Sequence, residues 1–323
     1  MKINTVCVLG GTGFVGGHLV ARLIATGRRV KVITRHHQRH RDLLVLPGTQ
    51  LIEGDVHDPA TLKRHFHGCE AVVNLVGILN EEGHNGSGFR RAHVDLARHV
   101  VEACRANGVA RLLHMSALNA DSGTGTSLYL RTKGEAENLV RTHALDTRVT
   151  VFRPSVIFGP GDSFLNRFAG LLRISPVLPL ACPGARFAPV YVGDVVDRFA
   201  DSLEDRATFG QRYDLCGPRV YTLMELVRYT ARTIGVRRVI IGLPDWASAL
   251  QATIFEYLPG KPFSLDNYRS LQRDSVCPGG GTCPTALETI APQYLGRRDR
   301  EARIQHLRTL AGRTEPDGQG FSG

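Results

Sequence analysis

Three glycines at the head of the chain limit what it can fold into more than any other feature. Gly10-x-x-Gly13-x-x-Gly16 follows the apolar run Thr5-Val6-Cys7-Val8-Leu9 and opens a helical pattern. In that setting Gly10 permits a tight turn, Gly13 lets the backbone approach a pyrophosphate, and Gly16 lets the helix pack on the strand. The helix N-terminus then offers free N–H groups and a positive dipole end to phosphates. A lone glycine pattern is also compatible with a tight packing turn. The strand before it and the amphipathic helix after it supply the setting that a dinucleotide-binding turn requires. The expected nucleotide contacts here are Gly10, Thr12, Gly13, Phe14, Val15 and Gly16.

The first half continues as this opening implies. Runs rich in Val, Ile and Leu at 5–9, 30–34, 50–53, 71–76, 111–116 and 147–153 alternate with helical patterns at 15–26, 59–65, 91–107 and 128–144. Apolar strands separated by helices mark a parallel sheet buried on both faces, with right-handed crossovers placing helices on either side. The fold class expected is α/β: a doubly wound parallel sheet (Rossmann fold) with a smaller mixed C-terminal lobe. Beyond Pro154 the regularity fails, because Pro160, Pro176, Pro179, Pro183 and Pro189 interrupt it and leave only shorter helices near 193–203, 223–234 and 246–257. The expected domains are a dinucleotide-binding unit over 1–155, a smaller substrate or partner lobe over 156–300 with some elements returning to the sheet, and a basic helix with a tail over 301–323.

Composition excludes several classes. With 42% hydrophobic and 22% charged residues the chain is of the globular kind, and no stretch approaches the ~18 to 20 uninterrupted apolar residues of a helical membrane span. Its start lacks the longer apolar core of a secretory signal, so a cytoplasmic location is expected. The net charge is +10, from 35 Arg and 5 Lys against 30 acids. Without aromatic interleaving, helix-turn-helix spacing or zinc fingers, that charge is not expected to recognise nucleic acid. Six Arg between 297 and 313 form a basic terminal helix, read as a solvated face and compatible with the cytoplasmic side of a membrane. The seven cysteines, an odd number in mostly apolar segments, are expected to be reduced thiols. The histidines show no ligand spacing with carboxylates, and no metal is expected. Two apolar stretches, 168–180 and 246–258, read as lobe core, with an isoprenoid pocket or a membrane-bound partner as the alternatives.

Several side chains bear on chemistry. No Asp or Glu lies between Arg28 and Arg41, where an acid would hold a ribose 2′-hydroxyl; Arg35, His36, His37, Arg39, His40 and Arg41 stand there instead. Guanidinium groups welcome a 2′-phosphate, so NADP(H) is favoured over NAD(H). Asp55 and Val56 follow the third strand, where a carboxylate can accept from the adenine amino group. Asn74-Leu75-Val76-Gly77 follows the fourth, where small residues border the cofactor. Tyr129 and Lys133 are four apart, on one face of a helix. An ammonium beside a phenol lowers the phenol's pKa from its reference of ~10, which makes Tyr129 a proton donor or acceptor for hydride transfer, while Lys133 can also hold the nicotinamide ribose. Ser116, after the fifth strand, is either a substrate contact or a strand-end hydrogen-bonding group. Ser122, Thr124, Thr126 and Ser127 are its alternatives.

In this order, Gly-rich loop, Asp55-Val56, Asn74 to Gly77, then Tyr129 and Lys133, the chain resembles the extended short-chain dehydrogenase/reductase superfamily. Further on it carries Phe152-Arg153-Pro154-Ser155-Val156-Ile157-Phe158-Gly159-Pro160-Gly161-Asp162, Val190-Tyr191-Val192-Gly193-Asp194-Val195, Tyr213-Asp214-Leu215-Cys216-Gly217-Pro218 and Pro284-Thr285-Ala286-Leu287. These resemble the atypical group typified by the 39 kDa NAD(P)-binding accessory subunit of respiratory complex I, over residues 2 to 296. The resemblance implies a bound NADPH-type nucleotide with Leu75, Val76, Gly77 and Pro154 bordering it, and catalytic roles for Tyr129, Lys133 and Ser116 if the protein turns over. It also implies a link to complex I or to ubiquinone metabolism, with peripheral contact at the cytoplasmic face of the inner membrane. His93 stands where an active member usually has Asn, and the usual serine-rich run is missing. The protein's own turnover is therefore open; an NADP-dependent reductase, epimerase or dehydratase acting on a carbonyl, sugar-nucleotide or isoprenoid substrate is the alternative.

Overall fold

Val, Ile and Leu branch or bulk near the backbone and pack well on a pleated surface, and the apolar runs that carry them form strands. A computed structural model describes residues 2–144, 146–258 and 261–295. In it β1 (Thr5–Leu9), β2 (Arg29–Thr34), β3 (Thr49–Glu53), β4 (Ala71–Asn74), β5 (Arg111–Met115), β6 (Arg148–Pro154) and β7 (Arg212–Leu215) form one sheet. The strand order is β3-β2-β1-β4-β5-β6-β7, with every neighbour parallel. Strands β1, β4 and β5 are buried at every residue, which follows from helices on both faces.

On one face α1 (Phe14–Ala25) and α6 (Val192–Ser202) pack with Val8, Val32, Val73, Leu113 and Phe152. On the other α2 (Pro59–His65), α3 (Leu96–Ala106) and α4 (Leu128–His143) cover Cys7, Leu9, Val72, Leu112 and Val151. The order turns back between β1 and β4, so a crevice opens at their C-terminal ends, where open α/β sheets take their ligands. The glycine turn and the segment after β4 both lie there. β4 stops at Asn74, two residues short of the apolar run, because the Asn74 carboxamide oxygen accepts the Val76 N–H at 3.2 Å and bends the chain.

Six of the seven strands match the expected runs closely. The seventh, β7, comes from beyond Pro154, where elements are expected to return to the sheet but no strand is located in advance: Arg-Tyr-Asp-Leu at a sheet edge is only part-buried and lacks an apolar run. The proline-interrupted part also holds α5 (Phe164–Ile174), α7 (Leu223–Thr233), α8 (Asp245–Glu256), α9 (Leu265–Leu271) and α10 (Leu287–Tyr294). Of these α5, α9 and α10 are additions to the expected helices. A second core, around Phe158, Leu165, Leu172, Leu226 and Leu287, forms among them. The basic helix expected over 297–313 and the tail to 323 lie outside the described residues. Among the described residues no helix is long and apolar enough to cross a membrane.

The cysteines require a correction, since Cys216 and Cys277 are joined in a disulfide although reduced thiols are expected. They stand 61 residues apart, and the return of the chain past the end of β7 brings their Cα atoms to 6.0 Å. The N–H groups of Thr282 and Cys283 both donate to the Cys216 carbonyl at 2.9 Å, which holds that return in place. Cys7, Cys69, Cys104, Cys182 and Cys283 are free thiols.

Arg111 joins the sheet to its helix layer. It is fully buried on β5, and its guanidinium donates to the carbonyls of Arg148 and Ser202 and to the hydroxyls of Thr150 and Thr208. Phe209 lies under it at 4.6 Å. Arg111→Met would strand several buried acceptors, and we expect about 3 kcal/mol lost from unfolding free energy, read by urea titration.

Candidate functional site

The glycine turn leaves a helix N-terminus open. Gly10 sits at φ +77, and a Cβ on Gly16 would come 2.1 Å from the Gly10 carbonyl oxygen, so helix and turn touch backbone to backbone. Gly13 is the N-cap of α1 with no side chain bonded to the first turn and no acid within it. The free N–H groups there face the crevice end of the sheet, which fits a dinucleotide's phosphates. Thr12, Phe14 and Val15 are half-buried around the turn. The Phe14 ring meets His18 edge-on at 5.5 Å, and His18 Nε2 lies 3.0 Å from the Pro160 carbonyl. A Cβ on Gly10 would lie 3.3 Å from Leu75 C and Val76 N, so the segment after β4 borders the turn directly.

Arg35 is exposed where β2 ends, and the 3-10 helix His37–Val45 follows it. Asp55 is already engaged locally: one oxygen accepts the His57 N–H at 3.0 Å, and the other lies 3.9 Å from Arg91. Burial, outweighing Asp55 and aided by Arg91 and Arg35, keeps His57 below its ordinary pKa. Val56 packs against the helices below the sheet. Pro154 is buried at the end of β6, where its carbonyl accepts the Leu118 N–H at 3.0 Å and shapes the loop after β5.

Helix α4 carries Tyr129 and Lys133 toward that loop. Ser127 caps it by accepting the Leu130 N–H at 3.1 Å. Asp266 of α9 accepts from the N–H groups of Leu128 at 2.7 Å and Tyr129 at 3.1 Å. Ser127 is thus occupied as a cap, Ser122 accepts from Asn138 at 3.1 Å, and Thr124 and Thr126 are exposed. Lys133 is buried, and its ammonium donates to the carbonyls of Val76, two residues past the end of β4, at 3.3 Å and of Met115, the last residue of β5, at 3.2 Å. A Cβ on Gly77 would stand 2.8 Å from Lys133 Nζ, so a glycine there makes room for the amine. Burial pulls the Lys133 amine down to about 8.

The expected lowering of the Tyr129 phenol by Lys133 is not found. Burial, and secondly the Asp266 charge, push the phenol up to about 12, while the lysine directs its protons to backbone carbonyls. The Tyr129 ring stands edge-on to His93, centroids 5.6 Å apart. His93 lies in a single π-helical turn, Arg91–Asp95, ahead of α3. Its Nε2 accepts the Ile78 N–H at 3.2 Å, so Nδ1 carries the proton and donates to Thr132 Oγ1 at 2.9 Å. Burial, then Lys133 and His114, hold His93 neutral with a pKa of about 2.

Ser116 is the exception to this satisfied network. Only 3% exposed, its hydroxyl has no hydrogen-bond partner among the described residues. Stranding a hydroxyl in this way costs about 1–3 kcal/mol, a cost that a bound polar atom would offset. His114, two residues earlier on β5, bonds the Asn74 side chain through Nδ1 at 3.3 Å, while its Nε2 also lacks a partner among the described residues. Sequence reasoning missed His114 and Asp266. The i, i+2 alternation from His114 to Ser116 was the available signal for the first; nothing local pointed to Asp266, since α9 reaches α4 only through the tertiary fold.

Residues 10–160 match a family model described as NAD(P)H-binding. The chain is 33% identical over 247 residues to a ceramide reductase of Caulobacter vibrioides, covering 75% of this chain and 74% of that one. It is 30% identical over 304 residues to the mitochondrial NADH dehydrogenase [ubiquinone] 1 alpha subcomplex subunit 9 of Rattus norvegicus, covering 90% and 79% respectively. This chain belongs to the extended short-chain dehydrogenase/reductases. Within them it is an NAD(P)-binding protein of the group that includes the complex I 39 kDa subunit. The fold agrees: a double mutant of the dTDP-glucose 4,6-dehydratase DesIV of Streptomyces venezuelae superposes with a TM-score of 0.70 at 20% identity, over 95% of this chain and all of that one. UDP-glucose 4-epimerase of Thermus thermophilus gives 0.62 at 20% identity, over 82% and 99%.

In this dehydrogenase/reductase-like site the buried lysine gives a pH signature. Its folded pKa is depressed, so the protonated amine opposes folding below about pH 8, and that opposition fades as pH rises toward the ordinary value of 10.5. Between pH 7 and pH 10 the wild type should gain about 2 kcal/mol of stability relative to Lys133→Met, measured by urea unfolding at both pH values.

Proposed function

We propose that this protein holds NADP(H) in preference to NAD(H) and exchanges hydride with a carbonyl or alcohol at the site of Ser116, Tyr129 and Lys133. The observation that carries the reading is the buried Ser116 hydroxyl without a partner among the described residues. It lies one residue beyond the Met115 carbonyl that receives Lys133. When bound, the nicotinamide supplies or takes the hydride. Ser116 then donates to the substrate oxygen, and Tyr129, kept protonated at physiological pH by its raised pKa, delivers the proton in the reductive direction. Lys133 spends two of its three N–H groups on the Val76 and Met115 carbonyls and has one left for a ribose hydroxyl. Arg35, exposed beside the glycine turn in a stretch without acids, supports the 2′-phosphate preference.

A second reading is supported by the same raised phenol and by His93 in the Asn position. In it the nucleotide is held for structure or as a redox sensor, in a protein that serves a respiratory complex or ubiquinone metabolism at the cytoplasmic face of the inner membrane. The 39 kDa relatives favour that partner, and a peripheral membrane contact belongs to it.

Calorimetry on stripped protein tests the cofactor: Arg35→Ala should weaken NADPH about tenfold and leave NADH unchanged. Turnover is read from the absorbance of the reduced nicotinamide with a panel of long-chain ketones and quinones. Oxidation by wild type and none by Tyr129→Phe, with nucleotide retained, is the expected result; no oxidation by either leaves the second reading.

A further inference from the structure

One side of the second core is covered by nothing in the chain described. Helix α8 turns Trp246, Leu250, Ile254 and Tyr257 to solvent, with Trp246 72% and Tyr257 78% exposed. Beside it the strand Val177–Leu180 pairs in parallel with Val239–Gly242, setting Val177 opposite Val239 and Pro179 opposite Ile241, all on the exposed face. The end of α5 adds Ile174, 84% exposed. Gln251 of α8 reaches the Pro179 carbonyl at 3.4 Å, so helix and strands form one surface. Scattered exposed apolar residues are ordinary, whereas a continuous face of this kind marks a docking surface.

The charges around it indicate what it docks on. Residues 163–193 and 226–244, which carry the strand pair, α5 and all but the first turn of α7, contain seven Arg and no Asp or Glu; Glu225 in that first turn is spent on the capping box with Thr222. Arg238 donates to the carbonyls of Leu172 at 2.7 Å and Arg173 at 3.4 Å, which gathers Arg173, Arg237 and Arg238 at one end of the patch. The two acids of α8 are engaged elsewhere: Asp245 accepts from Tyr268 at 2.9 Å, and Glu256 is held by Lys261 at 3.0 Å and His84 at 2.9 Å. A helix that exposes a row of apolar side chains, with Trp and Tyr at its ends, beside a cationic border has the chemistry of an interfacial anchor.

We propose that α8 and the adjoining strand pair bind peripherally to an anionic lipid bilayer. The inference rests on the membrane contact in the reading above, to which it adds a surface and a lipid chemistry, and it is independent of the nucleotide assignment. Docking also orients the site. Through α9, which bonds α8 at Asp245 and Glu256 and caps α4 at Tyr129, the catalytic helix is coupled to the membrane-facing surface.

Trp246 is the only tryptophan in the chain, so its fluorescence reports on this surface alone. Added phosphatidylcholine vesicles containing phosphatidylglycerol should move its emission to shorter wavelength, with saturation, and should carry the protein in flotation; pure phosphatidylcholine should do neither. Leu250→Ser/Ile254→Ser should weaken this binding by about tenfold per side chain, and Arg173→Gln/Arg237→Gln by about fivefold per charge with a shallower salt dependence. Calorimetry with NADPH, done in parallel, checks that the variants are folded and reads the cofactor assignment separately. No shift with anionic vesicles, or equal binding to both lipids, overturns the proposal. A blue-shifted Trp246 in vesicle-free dimers would assign the face to a second copy, and binding to native membranes but not to vesicles of their extracted lipids would assign it to a protein; either overturns it as well.

Discussion

A lysine ammonium held out of water organises the site. Lys133 crosses from α4 to the carbonyl of Val76, just past β4, and to that of Met115, which ends β5, and it can do so only because Gly77 leaves the space a Cβ would fill. Its positive charge then acts on its surroundings. Burial in the first place, and this charge in the second, keep His93 and His114 neutral, which frees His93 Nε2 to accept the Ile78 N–H and anchor the segment after β4. The positions of the β4 and β5 ends, the π-turn at Arg91–Asp95 and the start of α4 are all linked to this one amine.

The second constraint is the switch in strand order between β1 and β4. It brings the glycine turn, whose own backbone contact requires Gly16, against Leu75 and Val76, and so places an open helix N-terminus on the same side of the sheet as the lysine site. The C-terminal part closes the arrangement from outside: Asp266 caps α4, and β7 with α6 completes the sheet layers, so neither part of the chain makes the site by itself.

The balance between a satisfied network and one unsatisfied hydroxyl separates structure from function here. Lys133, His93, Thr132 and Ser127 all have protein partners, as buried polar groups must. Ser116 Oγ and His114 Nε2 have none among the described residues; His114 is on β5 and Ser116 one residue past its end. Polar groups left open in this way mark where a ligand's own polar atoms would enter.

Much of this was legible in the sequence, for reasons that are local. Strands buried on both faces announce themselves as runs of Val, Ile and Leu, which is why β1 to β6 fall where expected, and the glycine spacing needs only its flanking strand and helix to be read. The edge strand β7 was not legible, because Arg-Tyr-Asp-Leu has no apolar signal. The Cys216–Cys277 pair was hidden by the 61 residues between its partners. The ionisation of Tyr129 was misread because helical spacing places Lys133 on the same face but does not say where its ammonium points. By itself, then, the sequence determined the sheet class, the glycine turn between β1 and α1 and the candidate side chains, since each depends on periodicity or on residues near in the chain. Only the tertiary structure decided which of them are desolvated, which are satisfied and which remain open, because burial and hydrogen-bond partners are set by elements separated along the chain, from 18 residues for Lys133 on Met115 to 138 for Asp266 on α4.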